Sequence, residues 1–199
     1  AVVALVEAGL AEAGVVGVAA VAAPVAAALR EDGDMQLSRL LKHLIAPPWL
    51  ARRAFPRSAL LAIELAVAAA ERLHRGELRF AVEAGLPLHD LLHGVSARQR
   101  AIEVFSRLCI WDTEHNSGVL IYVQLIDRRV EIIADRGISA KVDQSEWDAV
   151  SRAMEAAFRA GAYERGAVTA IERIGHLIAV HFPALAGNPN ELPDQPVLL

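Results

Sequence analysis

Cysteine occurs once in the 199 residues, at Cys109. One cysteine excludes an internal disulfide and any thiolate-held metal cluster. Its neighbours Leu108 and Ile110 are apolar, so a buried, inert thiol is expected rather than a nucleophile. An excess of positive charge is missing as well. Lys and Arg number 20 against 24 Asp and Glu, for a net charge of −4, the wrong balance for neutralising a nucleic-acid backbone. No glycine-rich phosphate loop of the Walker or dinucleotide type is present, and no serine sits in a nucleophile elbow. No internal repeat is found. What the chain does have is 54% hydrophobic residues, enough at this length for one domain with a single sizeable core.

The chain divides by composition. Residues 1–34 are almost entirely Ala, Val, Gly and Leu, and Ala13–Leu29 carries no charge. That run is shorter than the ~20 apolar residues of a spanning helix, and no basic residues precede it as they do in a secretory signal. A packing helical arm and a marginal membrane segment are two readings. The expectation adopted is a third, a low-complexity extension foreign to the native protein, with Met35 as the natural initiator and little function before it. Residues 35–54 follow as a basic amphipathic helix. Leu37, Leu40, Leu41, Leu44 and Ile45 recur at helical spacing, with Arg39, Lys42 and His43 between them and Arg52-Arg53 beyond. Such a helix either lies on an anionic membrane or partner, through Arg39, Lys42, Arg52 and Arg53, or covers the domain's flank.

From residue 55 the periodicities predict a helix over 56–75 closed by Gly76, a strand over 77–83 with one buried face, and a helix over 96–108 capped by Ser96. A hairpin of 119–125 and 130–134 follows, then helices over 143–160 and 163–182. The tail from 184 to 199 is proline-rich and expected to be irregular. A crossover helix between the first two strands makes them parallel. Val119–Leu125 is apolar on both faces, so it is central. The fold class is therefore α/β, a three-layer α/β/α sandwich with a small mixed β-sheet.

His89 and His93 stand four apart, as in zinc peptidases, but Asp90 replaces the required Glu and the Pro87–Gly94 segment is too short for a stable helix; a surface loop or a short helical turn is expected. Carboxylates remain. Asp112 precedes the central strand, Asp135 follows the third, Glu77 opens the first, and Asn116 adds an oxygen. These are the ligand types of a hard cation, Ca²⁺ or Mg²⁺. Asp127 falls at the opposite sheet end, in a turn whose charges Arg128 and Arg129 neutralise.

Gly76–Glu83, Ala101–Phe105, Trp111–Tyr122 and Asp127–Ile138 together resemble the TPM domain family, over roughly residues 55–183. An Asn-x-Gly-Val-Leu strand entry, an Asp-Arg turn and an acidic-Gly strand exit occur in order. The family includes thylakoid-lumen proteins of photosystem II repair, an animal receptor modulator and many bacterial proteins. The resemblance implies an α/β/α sandwich. It also implies, for some members, a divalent cation in loops at one end of the sheet, with acidic positions that transfer to Glu77, Asp112, Asp127 and Asp135. A plant member is described as a weak acid phosphatase. Many bacterial members are membrane-tethered and are encoded beside a helical membrane protein called LemA. This sequence lacks their glycine-rich tail and a strong spanning helix after Pro183. The expectation is a non-catalytic interaction module, cytoplasmic or peripheral on the inner membrane, with a LemA-like protein or an anionic surface as partner. A metal-assisted phosphatase using Asp112, Asp135 and Arg136 is the alternative.

Overall fold

Strand β2 (Gly118–Gln124) is buried along its whole length, as its two-sided apolar sequence requires. In the computed structural model, which describes residues 33–47, 49–185 and 190–199, it pairs in parallel with β1 (Glu77–Glu83) and antiparallel with β3 (Arg129–Ala134). A fourth strand, β4 (Val197–Leu198), adds in parallel to the outer edge of β1, for the order β3-β2-β1-β4. Along the chain the helices are α1 (Gly33–Leu44), α2 (Trp49–Ala54), α3 (Arg57–Glu71), α4 (Leu88–Leu92), α5 (Ala97–Arg107), α6 (Arg136–Ser139), α7 (Gln144–Arg159) and α8 (Tyr163–His181). The extension expected over residues 1–34 lies, up to residue 32, outside the described residues.

The sheet separates two apolar layers. Leu78, Phe80, Val82, Val119, Ile121, Val123, Val130 and Ile132 face α3, α7 and α8, and Phe55 at the end of α2 joins them. Ala81, Leu120, Tyr122 and Ile133 face α5, where Ala101, Val104, Phe105 and Ile110 meet them, with Leu192, Val197 and Leu199 of the tail alongside. This is the sandwich expected, with a mixed sheet between helical layers.

Four local differences from the sequence reading have physical causes. First, β1 is buried on both faces rather than one, because α5 and the tail cover its polar side and supply partners for Glu77 and Glu83. Second, the tail is not wholly irregular: Leu199 N donates to Val82 O at 2.9 Å and β4 forms. Third, α3 stops at Glu71 instead of 75, since residues 73–75 turn to bond the end of α8: Arg75 N donates to Phe182 O (2.9 Å) and Ala184 N to Leu73 O (3.1 Å). Fourth, Cys109 is exposed, not buried. It occupies the left-handed position (φ 53°) just past α5, where glycine is the usual residue. Cys109 N donates to Ser106 O and Ile110 N to Phe105 O, both at 3.1 Å, so a Schellman motif buries Ile110 and turns the thiol outward. His89–His93, in turn, form one helical turn with stacked rings 4.2 Å apart.

Candidate functional site

Asp112, Asn116, Asp135 and Glu77 lie at one end of the sheet, where β1 and β2 begin and β3 ends. The pairing Glu77↔Gly118 and Val119↔Ala134 sets this. The loop before β2 approaches closely. A Cβ on Gly118 would stand 2.0 Å from Ile110 O, and one on Gly137 would stand 2.6 Å from both His115 O and Asn116 O; only glycine admits that packing. Gly137 N donates to Asn116 O at 3.0 Å and Asp135 N to Gly118 O at 2.8 Å.

The four side chains do different things. Asp135 Oδ1 accepts from Arg136 N (2.6 Å) at the start of α6, while its Oδ2 is buried with no hydrogen-bond partner among the described residues. Asn116, at φ 52°, accepts at its Oδ1 from Arg136 Nε at 2.9 Å. Glu77 is 1% exposed and accepts from Glu191 N (3.2 Å) and Leu192 N (3.1 Å) of the tail. Burial raises its carboxyl above the ordinary value, against those two bonds. Asp112 is exposed. Tested against an oxygen cage for a hard cation, the arrangement fits at one atom, Asp135 Oδ2. Glu77 serves the tail, and the Arg136 guanidinium already holds the Asn116 oxygen. Arg75 Nη1 and His115 Nε2, 3.4 Å apart, add basic groups nearby. Among the described residues no three His, Cys, Asp or Glu side chains converge on one point.

Asp127 is at the other sheet end, as the hairpin register requires. Its carboxylate is not neutralised by its neighbours Arg128 and Arg129. Arg39 of α1 grips it through Nε (3.0 Å) and Nη2 (2.7 Å), and His43 Nε2 lies 3.0 Å away. Leu86 N donates to His43 Nδ1 at 2.9 Å, which leaves the ring proton on Nε2, pointing at Asp127. Burial pushes the Asp127 carboxyl up, but the bonds from His43 and Arg39 outweigh it and hold it well below the usual range. Arg39, expected on a basic partner surface, is 32% exposed and paired with Asp127. Lys42, Arg52 and Arg53 are exposed, and the Arg53 guanidinium stands 5.9 Å over the Trp49 ring.

On the α5 face a second polar cluster went unread in the sequence. Arg100, 4% exposed, bonds Glu83 through Nε (3.0 Å) and Nη2 (2.7 Å). Its Nη1 reaches Glu103 at 2.9 Å and Asp90 at 3.2 Å. Tyr122 donates its hydroxyl to Glu83 Oε2. The available signal was the polar alternation of β1 opposite an arginine on α5.

The class defined by this geometry is a small α/β/α sandwich with a parallel-antiparallel sheet and an acidic loop cluster at one end. The family model for the TPM domain matches residues 54–177, and the chain belongs to that family. Among solved structures, that of the BA42 protein from the psychrophilic bacterium Bizionia argentinensis is similar at 30% identity, with a TM-score of 0.64 over 71% of this chain and 93% of that one. None of the curated proteins compared matches the chain.

Proposed function

We propose that the chain is a non-catalytic TPM interaction module that docks on an anionic membrane surface through α1 and α2. One observation carries this reading. Leu41, Leu44 and Ile45, one helical face at the end of α1, are 47%, 51% and 74% exposed, and Trp49 opening α2 is 55% exposed, with Lys42, Arg52 and Arg53 exposed among them. Apolar side chains mixed with basic ones are the composition of an interfacial helix. No helix among the described residues is long and apolar enough to cross a membrane, so the reading is of surface contact. The test is co-sedimentation with phosphatidylglycerol vesicles and with phosphatidylcholine vesicles. Each basic residue contributes about 1 kcal/mol near an anionic surface. The variant Lys42→Glu/Arg52→Glu/Arg53→Glu is therefore expected to lose at least a hundredfold in binding to the anionic vesicles, and salt to weaken the wild type. Equal sedimentation of variant and wild type would sink the reading.

The buried, unpartnered Asp135 Oδ2 favours a second reading, a divalent ion held by Asp135 and Asp112 once Arg136 releases Asn116. The metal-assisted phosphatase depends on this ion. Calorimetric titration with Ca²⁺ and Mg²⁺ is expected to give saturable binding that Asp135→Asn abolishes and Arg136→Ala strengthens. No heat from either ion in any of the three proteins removes both the ion and the phosphatase.

A further inference from the structure

The β2–β3 hairpin and the corner between α7 and α8 flank a solvent-open cavity of about 150 Å³ at the sheet end opposite Asp135, room for several waters and so for a phosphate group. We propose that this cavity binds the phosphate of a phosphomonoester, held by Arg128, Arg129 and Arg159. The inference does not rest on membrane docking through α1 and α2.

Charge decides the ligand class. Three arginines line the cavity with one acid, Glu155. Glu155 is already engaged: its Oε1 accepts from Val130 N at 3.2 Å, and its Oε2 lies 4.0 Å from Arg159 Nη1. Arg128 and Arg129 have no ion pair among the described residues. Three guanidinium groups against one carboxylate leave two positive charges, which match a dianionic phosphate better than a singly charged carboxylate. Guanidinium forks suit phosphate oxygens in bidentate pairs. Asp127 does not oppose this, since Arg39 and His43 hold its carboxylate. Of the nearby acids, Glu131 pairs with Arg98 at 3.4 Å, and Glu164 is exposed in the first turn of α8.

The wall is built rather than incidental. Phe158 and Tyr163 stack with centroids 5.1 Å apart, and Phe55 backs both edge-on at 5.7 Å and 5.5 Å. Tyr163 is the first residue of α8, whose N-cap Ala162 offers no capping side chain. The positive end of that helix dipole therefore stands at the cavity wall. Arg128 lines the cavity from the hairpin turn. It closes the hairpin turn at φ 54°, a left-handed conformation that suits glycine or asparagine. Glycine would fit that position without strain.

That strain makes the test clean. Arg128→Gly relieves the backbone while it deletes a charge, so a loss of binding is not a loss of fold. The full chain is titrated calorimetrically with inorganic phosphate and glycerol 3-phosphate. It is also sedimented with vesicles carrying phosphatidate, whose headgroup is a phosphomonoester, and with vesicles of matched charge carrying phosphatidylglycerol, a diester. Arg128→Gly is expected to raise the melting temperature and weaken binding at least tenfold, and Arg159→Gln to weaken it similarly. Saturation by glycerol 3-phosphate assigns a soluble ester. A preference for phosphatidate without soluble binding, lost in Arg128→Gly, assigns a lipid headgroup. No binding in either arm, or binding unchanged in Arg128→Gly, overturns the proposal. The α1–α2 docking reading is read separately, from phosphatidylglycerol binding in the Lys42, Arg52 and Arg53 variant.

Discussion

Stability is expected to fall as pH rises from about 6.5 to 9, and Glu71→Gln is expected to remove most of that fall. Glu71 ends α3 with its Oε1 accepting from Leu78 N at 2.8 Å. Burial, with Glu77 and Asp194 adding negative charge beside it, pushes its carboxyl up from 4.5 to about 9. A folded-state value above the unfolded one means that the folded chain keeps a proton the unfolded chain releases. The contribution is complete below the unfolded value and is lost as pH climbs through the folded one. His74 acts in the opposite sense. Burial lowers it from 6.5 to about 4, so its ionisation weakens the fold as pH drops through 6.5. The two offset each other below 6.5, and of the pair only Glu71 acts above. The ceiling is about 1.4 kcal/mol per pH unit. With some solvent still reaching the carboxyl, a loss of about 2 kcal/mol is expected between pH 6.5 and 9, or roughly 4–8 °C in melting temperature for a chain of this size. Glutamine keeps the acceptor for Leu78 N and removes the titration. Urea denaturation at pH 6.5 and 9 decides the matter: parallel losses in wild type and Glu71→Gln would show that the carboxyl is not the source.

Periodicity and two-sided hydrophobicity made the hairpin, the central strand and the packed helices legible in the sequence, because those signals come from the segment itself. Hairpin register alone also separated Asp127 from Asp112 and Asp135. The features that were not legible depend on partners distant in the chain. Val197–Leu198 carries too short a signal and becomes a strand only because Val82 offers it an edge. Glu77 and Glu83 marked β1 as half-exposed until residues 191–192 and Arg100 covered them. Arg128 and Arg129 read as neutralised by Asp127, whereas Arg39 and His43, more than eighty residues earlier, claim that carboxylate. The same contact gives Arg39 a carboxylate partner and leaves the hairpin arginines without one among the described residues. At the acidic end, residue types placed Asp112, Asn116, Asp135 and Glu77 together, but not the Arg136 and tail contacts that occupy two of them.

Arg100→Leu is expected to cost about 3–5 kcal/mol, the largest effect of any single exchange considered for this chain. Typical domains hold only about 5–15 kcal/mol in all, so much of the fold's margin rests on this side chain. The reason is what remains behind. Arg100 and Glu83 side chains are 5% and 4% exposed. Without the guanidinium the Glu83 carboxylate stays buried, with Tyr122 as its remaining donor. Burial and the Glu83 charge push the Tyr122 hydroxyl up, so it donates a hydrogen bond and supplies no charge. Asp90 and Glu103 lose their common partner as well. Arg100→Lys is expected to recover only part, because an ammonium cannot give two parallel bonds to Glu83 and a third to Glu103. Replacing the central three side chains at once, Glu83→Leu with Arg100→Met and Tyr122→Phe, removes the buried Glu83–Arg100 charges together, leaves Asp90 with His89 Nδ1 3.2 Å away, and is expected to come within about 2 kcal/mol of wild type. Urea midpoints of the three proteins order these outcomes. A near-neutral Arg100→Leu would mean that water reaches Glu83 in solution. A triple variant as unstable as Arg100→Leu would mean that the arginine's packing, not its charge, holds α5 to the sheet.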